Sequence, residues 1–151
     1  MKRFRIRKWG GLVAFATTVS LCGISPAAAG ATSYDYTALD QSSMTAVAAD
    51  SVETSGEGAN GPIALVLDGN KDTYWHTKWV GGEDPLPHWF VIDLGAEVNN
   101  LGRVTLTPRQ SSNGSGRVGD YEVQVSTDTQ CSAASTVDAA EFTTVSDGSV
   151  E

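Results

Sequence analysis

The 151-residue sequence predicts an all-β fold, an antiparallel sandwich of short strands. Three observations carry that expectation. Tyr121, Val123 and Val125 alternate with Glu122, Gln124 and Ser126, the period of a strand with one covered face. Clusters of turn residues cut the chain into short runs: Ser55-Gly56-Glu57-Gly58, Gly81-Gly82-Glu83-Asp84-Pro85 and Asn113-Gly114-Ser115-Gly116. No segment holds a helical period, and there is no internal repeat.

The elements follow in order. Residues 30–42 form a short polar lead-in, and one domain spans 43–151. The first expected strand is Met44-Thr45-Ala46-Val47-Ala48. Residues 89–94, Trp-Phe-Val-Ile-Asp-Leu, form the most apolar one. In Val104-Thr105-Leu106-Thr107 the two aliphatic side chains share a face. Residues 121–126 and 141–145 complete the set.

Residues 1–29 read as a secretory signal peptide outside that domain. Lys2, Arg3, Arg5, Arg7 and Lys8 form a basic start. Residues 12–24 form an apolar run too short to span a bilayer comfortably. Ala27-Ala28-Ala29 offers small residues for cleavage, which puts the mature start near Gly30. There is no adjacent arginine pair, and Cys22 follows Leu21 rather than a small residue, so a twin-arginine signal and a lipid anchor are disfavoured.

Cleavage would change the charge. Five of the ten Lys and Arg residues lie in the first thirty positions and none of the eighteen acidic residues does, which leaves five positive against eighteen negative, a net charge of −13. Such a chain repels phosphate backbones and is weakly attracted to anionic lipid, so nucleic acid is not an expected partner. Cys22 would leave with the leader, and Cys131 alone cannot form an internal disulfide. Cysteine and histidine nowhere take zinc spacing. No catalytic signature is found either. Gly114-Ser115-Gly116 lacks the full nucleophile elbow, and there is no phosphate loop or dinucleotide fingerprint.

The most informative stretch is Leu65-Val66-Leu67-Asp68-Gly69-Asn70-Lys71-Asp72-Thr73-Tyr74-Trp75-His76-Thr77. Asp68, Asn70, Asp72 and Thr73 supply hard oxygen ligands at close spacing around the turn residue Gly69. Downstream, Trp89-Phe90-Val91-Ile92-Asp93-Leu94-Gly95 is a strand that closes on a turn. This ordered string resembles the discoidin, or coagulation factor 5/8 type C, superfamily. Within it the chain looks most like carbohydrate-binding module family 32, over roughly residues 43–150.

The resemblance implies a discoidin-like (galactose-binding-domain-like) jelly-roll β-sandwich with its binding loops at one end. It also implies a structural calcium ion (Ca2+), held by the Leu65 carbonyl, the Asp68 and Asn70 side chains, and Thr73. Asp72 would lie just behind them. An Asx-type turn without metal is the competing reading of the same residues. For a galactose-type sugar, the resemblance implies His76, Arg109 and Asn113, joined by a glutamate. Glu57 is the candidate for that glutamate, and Glu53 stays open. Trp75 and His88 are read as structural, while Trp79 is read either as structural or as flanking the sugar. The family's late strands, its late stacking aromatic and the last calcium ligands have no counterpart before Glu151, so the domain is expected to be incomplete at its C-terminus.

The expected function is therefore non-catalytic binding of terminal galactose- or N-acetylgalactosamine-type glycans, in a secreted, extracellular chain without a transmembrane segment once mature. A covalently linked glycosidase domain would fit such a module. One alternative is a cell-surface adhesion module for protein or phospholipid. A second is a truncated remnant without activity.

Overall fold

The computed structural model describes residues 3–9, 14–16, 35–112, 116, 118–127 and 142–149. Among the described residues there are eight strands: β1 (Arg3–Trp9), β2 (Ala14–Ala16), β3 (Thr45–Ala49), β4 (Trp75–His76), β5 (His88–Asp93), β6 (Thr107–Pro108), β7 (Asp120–Ser126) and β8 (Thr143–Ser149). Gln41–Ser43 and Ile63–Leu67 form 3-10 turns. The strands make the expected jelly-roll sandwich of two sheets, ordered β3-β5-β1-β7-β8 and β4-β2-β6, with every pairing antiparallel.

The core lies between the sheets. Phe90 and Ile92 of β5, Ile6 of β1 and Val123 of β7 meet Trp75 of β4, Val66, Met44 and Leu94. Trp75 is 1% exposed and packs edge-on against Phe90, with ring centroids 5.4 Å apart. Its indole N–H donates to the Ser51 carbonyl at 2.9 Å, so the ring is buried with its polar atom satisfied. Truncating such a side chain to alanine costs about 3–5 kcal/mol.

The opposite face of the larger sheet is also covered. Ala48, Val91 and Phe142 form a second cluster there, with Val47 and Trp89 against it. This is why β7 departs from a one-sided strand: Gln124 and Ser126, on the expected polar face, are 5% and 6% exposed. Asp50 fastens the end of β3 to the start of β5. Its Oδ1 accepts from the Trp89 N–H at 2.6 Å, and its Oδ2 lies 2.7 Å from His88 Nδ1. His88 is thus a bonded, buried residue.

Two strand expectations shift. Within 104–107 only Thr107 is a strand residue, continuing into Pro108, because pairing there is limited by the short β2. Val104 and Leu106 still pack against the core from outside the strand. The last strand is Thr143–Ser149 rather than 141–145, and Glu141 lies outside the described residues.

The largest difference concerns the N-terminus. Residues 3–9, read as the basic start of a leader outside the domain, form a central strand of the larger sheet. Residues 17–29, with the expected cleavage site, lie outside the described residues. This is the arrangement of the uncleaved chain. Cleavage after Ala29 concerns a later form and stays a proposal.

Candidate functional site

Two loops and two short strands bring the candidate residues together. The turn after Glu57 closes with the Asn60 N–H donating to the Glu57 carbonyl at 3.0 Å. The chain then runs beside β4: the Gly61 N–H donates to the Tyr74 carbonyl at 3.0 Å, and the His76 N–H to the Gly61 carbonyl at 3.2 Å. Gly61 has φ 110°, and a Cβ there would lie 2.2 Å from the Glu53 carbonyl oxygen. Only glycine fits this approach.

Glu57 is the hub. Its Oε2 accepts from the Tyr74 hydroxyl at 2.6 Å, and its Oε1 accepts from the Trp79 indole at 3.1 Å. His76 Nε2 and Arg109 Nη1 each approach that Oε1 to 3.8 Å. The Arg109 guanidinium lies over the Tyr74 ring, 4.3 Å from its centroid. Burial, then the bond to Glu57, raises the Tyr74 pKa above its ordinary value of 10.0. The hydroxyl therefore stays a donor at neutral pH.

His76 is 1% exposed. Its Nδ1 sits 2.6 Å from the Thr77 carbonyl, which can only accept, so Nδ1 carries the hydrogen. In the neutral ring Nε2 is then an acceptor facing the Glu57 side. The solvent-facing part of the cluster comes from Trp79, 41% exposed as a residue, and Arg109, whose side chain is 26% exposed. Gly56 makes room for that indole: a Cβ at position 56 would come within 2.6 Å of Trp79 Cζ2.

Glu53, the other candidate glutamate, has different work. It is 2% exposed. Its Oε1 accepts from the backbone N–H groups of Thr54, Ser55 and Gly56 and from the Ser55 hydroxyl. Its Oε2 accepts from the N–H groups of Trp79 and Val80 at 2.8 and 2.9 Å. The Val80 and Trp79 amides hold the carboxyl well below the usual carboxylate range, against the opposing effect of burial. Glu53 thus ties the Glu57 loop to the Trp79 loop.

Of the residues expected to meet a sugar, Glu57, His76 and Arg109 come together, while Asn113 lies outside the described residues. The sequence reading missed Tyr74. It stands two residues before His76, the spacing that puts strand side chains on one face.

The loop expected to hold calcium lies before β4 and is exposed. Asp68 Oδ1 accepts from the Asn70 N–H at 2.8 Å, and Asn70 Oδ1 accepts from the Asp72 N–H at 3.0 Å. The Thr73 hydroxyl bonds to Asp68 Oδ2 and sits 3.0 Å from the Asn70 carbonyl. These are nested Asx turns in which the Asp68, Asn70 and Thr73 oxygens already converge. Among the described residues no group of three or more His, Cys, Asp and Glu could hold a metal. The side-chain donors that converge here are oxygen only, from carboxylate, amide and hydroxyl, which suits calcium by type, while Leu65 belongs to the preceding 3-10 turn.

Comparison with known proteins follows the same stretch. Residues 46–148 match the F5/8 type C domain family. Galactose oxidase of Gibberella zeae is 40% identical over 84 residues, 55% of this chain and 12% of that enzyme. Sialidase of Micromonospora viridifaciens is 38% identical over 89 residues, 58% of this chain and 13% of the sialidase. The A type blood N-acetyl-alpha-D-galactosamine deacetylase of Flavonifractor plautii is 36% identical over 88 residues, 58% of this chain and 11% of the deacetylase. The matched stretch thus spans only 11–13% of the length of these relatives.

Proposed function

From the premise that the chain belongs to the F5/8 type C domain family, whose domains are non-catalytic binding modules, we propose that it binds terminal galactose- or N-acetylgalactosamine-type sugars. Carbohydrate binding itself is supported by relatives that act on carbohydrates. The single observation that carries the finer reading is the convergence of His76, Arg109, Tyr74 and Trp79 on Glu57. A sugar needs donors and acceptors in fixed directions and an apolar surface. Arg109 supplies a fork of donors, Glu57 an acceptor, and the exposed Trp79 ring a face. His76 lies behind them, buried, with its ring 3.8 Å from Glu57 Oε1, and shapes the floor of the cluster.

The experiment is an NMR titration of the folded chain with galactose, N-acetylgalactosamine and glucose. A shallow single-sugar site gives dissociation constants on the order of 0.1–1 mM. Removing one hydrogen-bonding group costs on the order of 1 kcal/mol, and two or more bonds from one guanidinium correspondingly more. Arg109→Ala is thus expected to weaken galactose binding about tenfold or more. Equal binding by both forms would overturn this site assignment.

Calcium at Asp68, Asn70, Thr73 and the Leu65 carbonyl belongs to the same proposal, as a brace for the loop leading into His76. So do secretion after removal of residues 1–29 and attachment to a glycan-acting catalytic domain. A second reading, adhesion to protein or phospholipid, is favoured by one feature. Trp79, Val80 and Leu86 are 41%, 39% and 44% exposed on the loop before β5. Glu83 and Asp84 on that loop oppose contact with anionic lipid. Sedimentation with zwitterionic vesicles tests it, and loss of that binding in Leu86→Ser would support it.

A further inference from the structure

The segment between β4 and β5 serves more than the Glu57 cluster. Its Trp79 and Val80 amides are held by Glu53, and the Trp79 indole turns to Glu57. A separate cavity of about 360 Å³ lies along the same segment, and Glu57, Tyr74, His76 and Arg109 take no part in its lining. That volume is within the range of small-ligand sites, about 300–1,000 Å³. Three contacts frame it. The Ser51 hydroxyl donates to Asp84 Oδ2 at 2.7 Å and accepts from the Lys78 N–H at 2.9 Å. Asp50 Oδ2 lies 2.7 Å from His88 Nδ1.

Buried polar residues belong to the lining. Thr77 is 0% exposed and His88 is 5% exposed. The Thr77 carbonyl is taken by His76 Nδ1, but its Oγ1 is buried without a hydrogen-bond partner among the described residues. Folded proteins rarely leave such a group unpaired, so this hydroxyl is available to a guest. His88 Nδ1 faces a carboxylate and carries the hydrogen, which makes Nε2 of the neutral ring an acceptor. Asp84 has a second carboxylate oxygen beyond the one that Ser51 binds. Glu83 adds another carboxylate from an exposed position. Pro85 and Leu86 supply apolar surface. Lys78, also exposed, sets one positive charge against the two negative ones.

We propose that this cavity binds a primary ammonium group on a short alkyl stem, the chemistry of a lysine side chain. The ammonium has three donors and no acceptor, which suits a lining of imidazole nitrogen, hydroxyl and two carboxylates. Its stem has Pro85 and Leu86 to lie against, as the methylenes of a lysine do on an apolar surface. An anionic guest would face both Glu83 and Asp84. A guest with acceptors alone would leave the His88 nitrogen and the carboxylates unanswered. The site is thus distinct from the Glu57 cluster in place and in the sign of the charge it receives.

The test is an NMR titration of the full chain, read at the amides of Thr77, Lys78, Glu83, Asp84, Leu86 and His88. The probes are Nα-acetyl-lysine amide, the same compound acetylated on its side-chain nitrogen, and galactosamine. Saturating shifts with the lysine compound are expected, and side-chain acetylation should weaken binding about tenfold or more, because it removes the charged donor. Thr77→Val keeps the side-chain shape and deletes a hydroxyl that has no partner, so the fold tolerates it. It should weaken the lysine compound about threefold or more. Glu83→Gln, at an exposed position, should weaken it about threefold. Cavity amides that do not move mean that water alone fills the space, which overturns the proposal. Equal affinity for the charged and the acetylated compound overturns the ammonium, and tighter binding of galactosamine overturns the alkyl stem. Equal binding of the lysine compound by Thr77→Val, Glu83→Gln and the unaltered chain overturns the location. No arm depends on the Glu57 cluster, so failure of the carbohydrate reading leaves the test intact.

Discussion

Glu57 and Tyr74 offer the most direct test of the cluster through a double-mutant cycle. The Tyr74 hydroxyl donates to Glu57 Oε2 at 2.6 Å, and Tyr74 is only 9% exposed. Glu57→Ala removes the acceptor and leaves a nearly buried hydroxyl without it, which costs about 1–3 kcal/mol. The bond that Trp79 makes to the same carboxylate is exposed, so its loss adds little beyond that. The 3.8 Å approach of Arg109 also adds about 1 kcal/mol at most, because the guanidinium is partly in water. A total near 2–3 kcal/mol is expected. Tyr74→Phe removes the hydroxyl and leaves a carboxylate that water can reach, so about 1 kcal/mol is expected. In the double variant the stranded hydroxyl no longer exists. The two costs should therefore fall short of additivity by about 1–2 kcal/mol. Thermal melts by circular dichroism read this, at about 3–5 °C per kcal/mol for a domain of this size. A coupling below about 0.5 kcal/mol, which is the scatter of unconnected sites, would refute the bond and the hub built on it.

Glu53→Gln should flatten the acid limb of stability against pH. The native carboxylate titrates below its ordinary value of 4.5, so its contribution is complete above that pH and drains away as pH falls below it; identical acid limbs in both proteins would count against the anchor. Asp68→Ala should abolish any rise of the melting temperature with calcium, because a ligand held only by the native state stabilises it by mass action. Melts of the unaltered chain that coincide in calcium and in chelator would dismiss the ion. Mass spectrometry of secreted protein should find a new N-terminus within a few residues of Gly30, and intact Met1-bearing protein in the medium would remove the leader proposal.

The strands that are legible in the sequence are those whose own residues carry the pattern. β5 is a continuous apolar run and β7 alternates, and both lie where the sequence puts them to within a residue or so. β8 was placed less well because Thr143–Ser149 is exposed throughout and is held by pairing with β7 rather than by an apolar face. β1 was hidden by a coincidence of composition. Arg3, Arg5 and Arg7 alternate with Phe4 and Ile6, a strand pattern, yet three arginines before an apolar run also meet the description of a leader. Local sequence cannot separate the two, because the decisive partners, Gln124 and Phe142, lie more than a hundred residues away. At the site, the motif string brought out His76, Arg109 and Glu57. The contact of Tyr74 with Glu57 across the Asn60 turn was not readable, since it depends on how that turn folds back.

The choice between Glu53 and Glu57 shows how the cluster is built. The two carboxylates are four residues apart, so neither spacing nor residue type distinguishes them. What separates them is the supply of donors. Glu53 is enclosed by backbone N–H groups from its own turn and from the Trp79 loop, which leaves it no free lone pair for a ligand. Glu57 receives only side-chain donors from this set, the Tyr74 hydroxyl and the Trp79 indole. A carboxylate saturated by backbone amides fixes loops. One held by two side-chain donors keeps acceptor capacity at the surface. The first arrangement brings Trp79 to the second, because the amide that Glu53 binds belongs to the residue whose indole reaches Glu57. Loss of Glu53 should therefore weaken ligand binding at a distance, by freeing Trp79, even where Glu57, Tyr74 and Arg109 are left untouched.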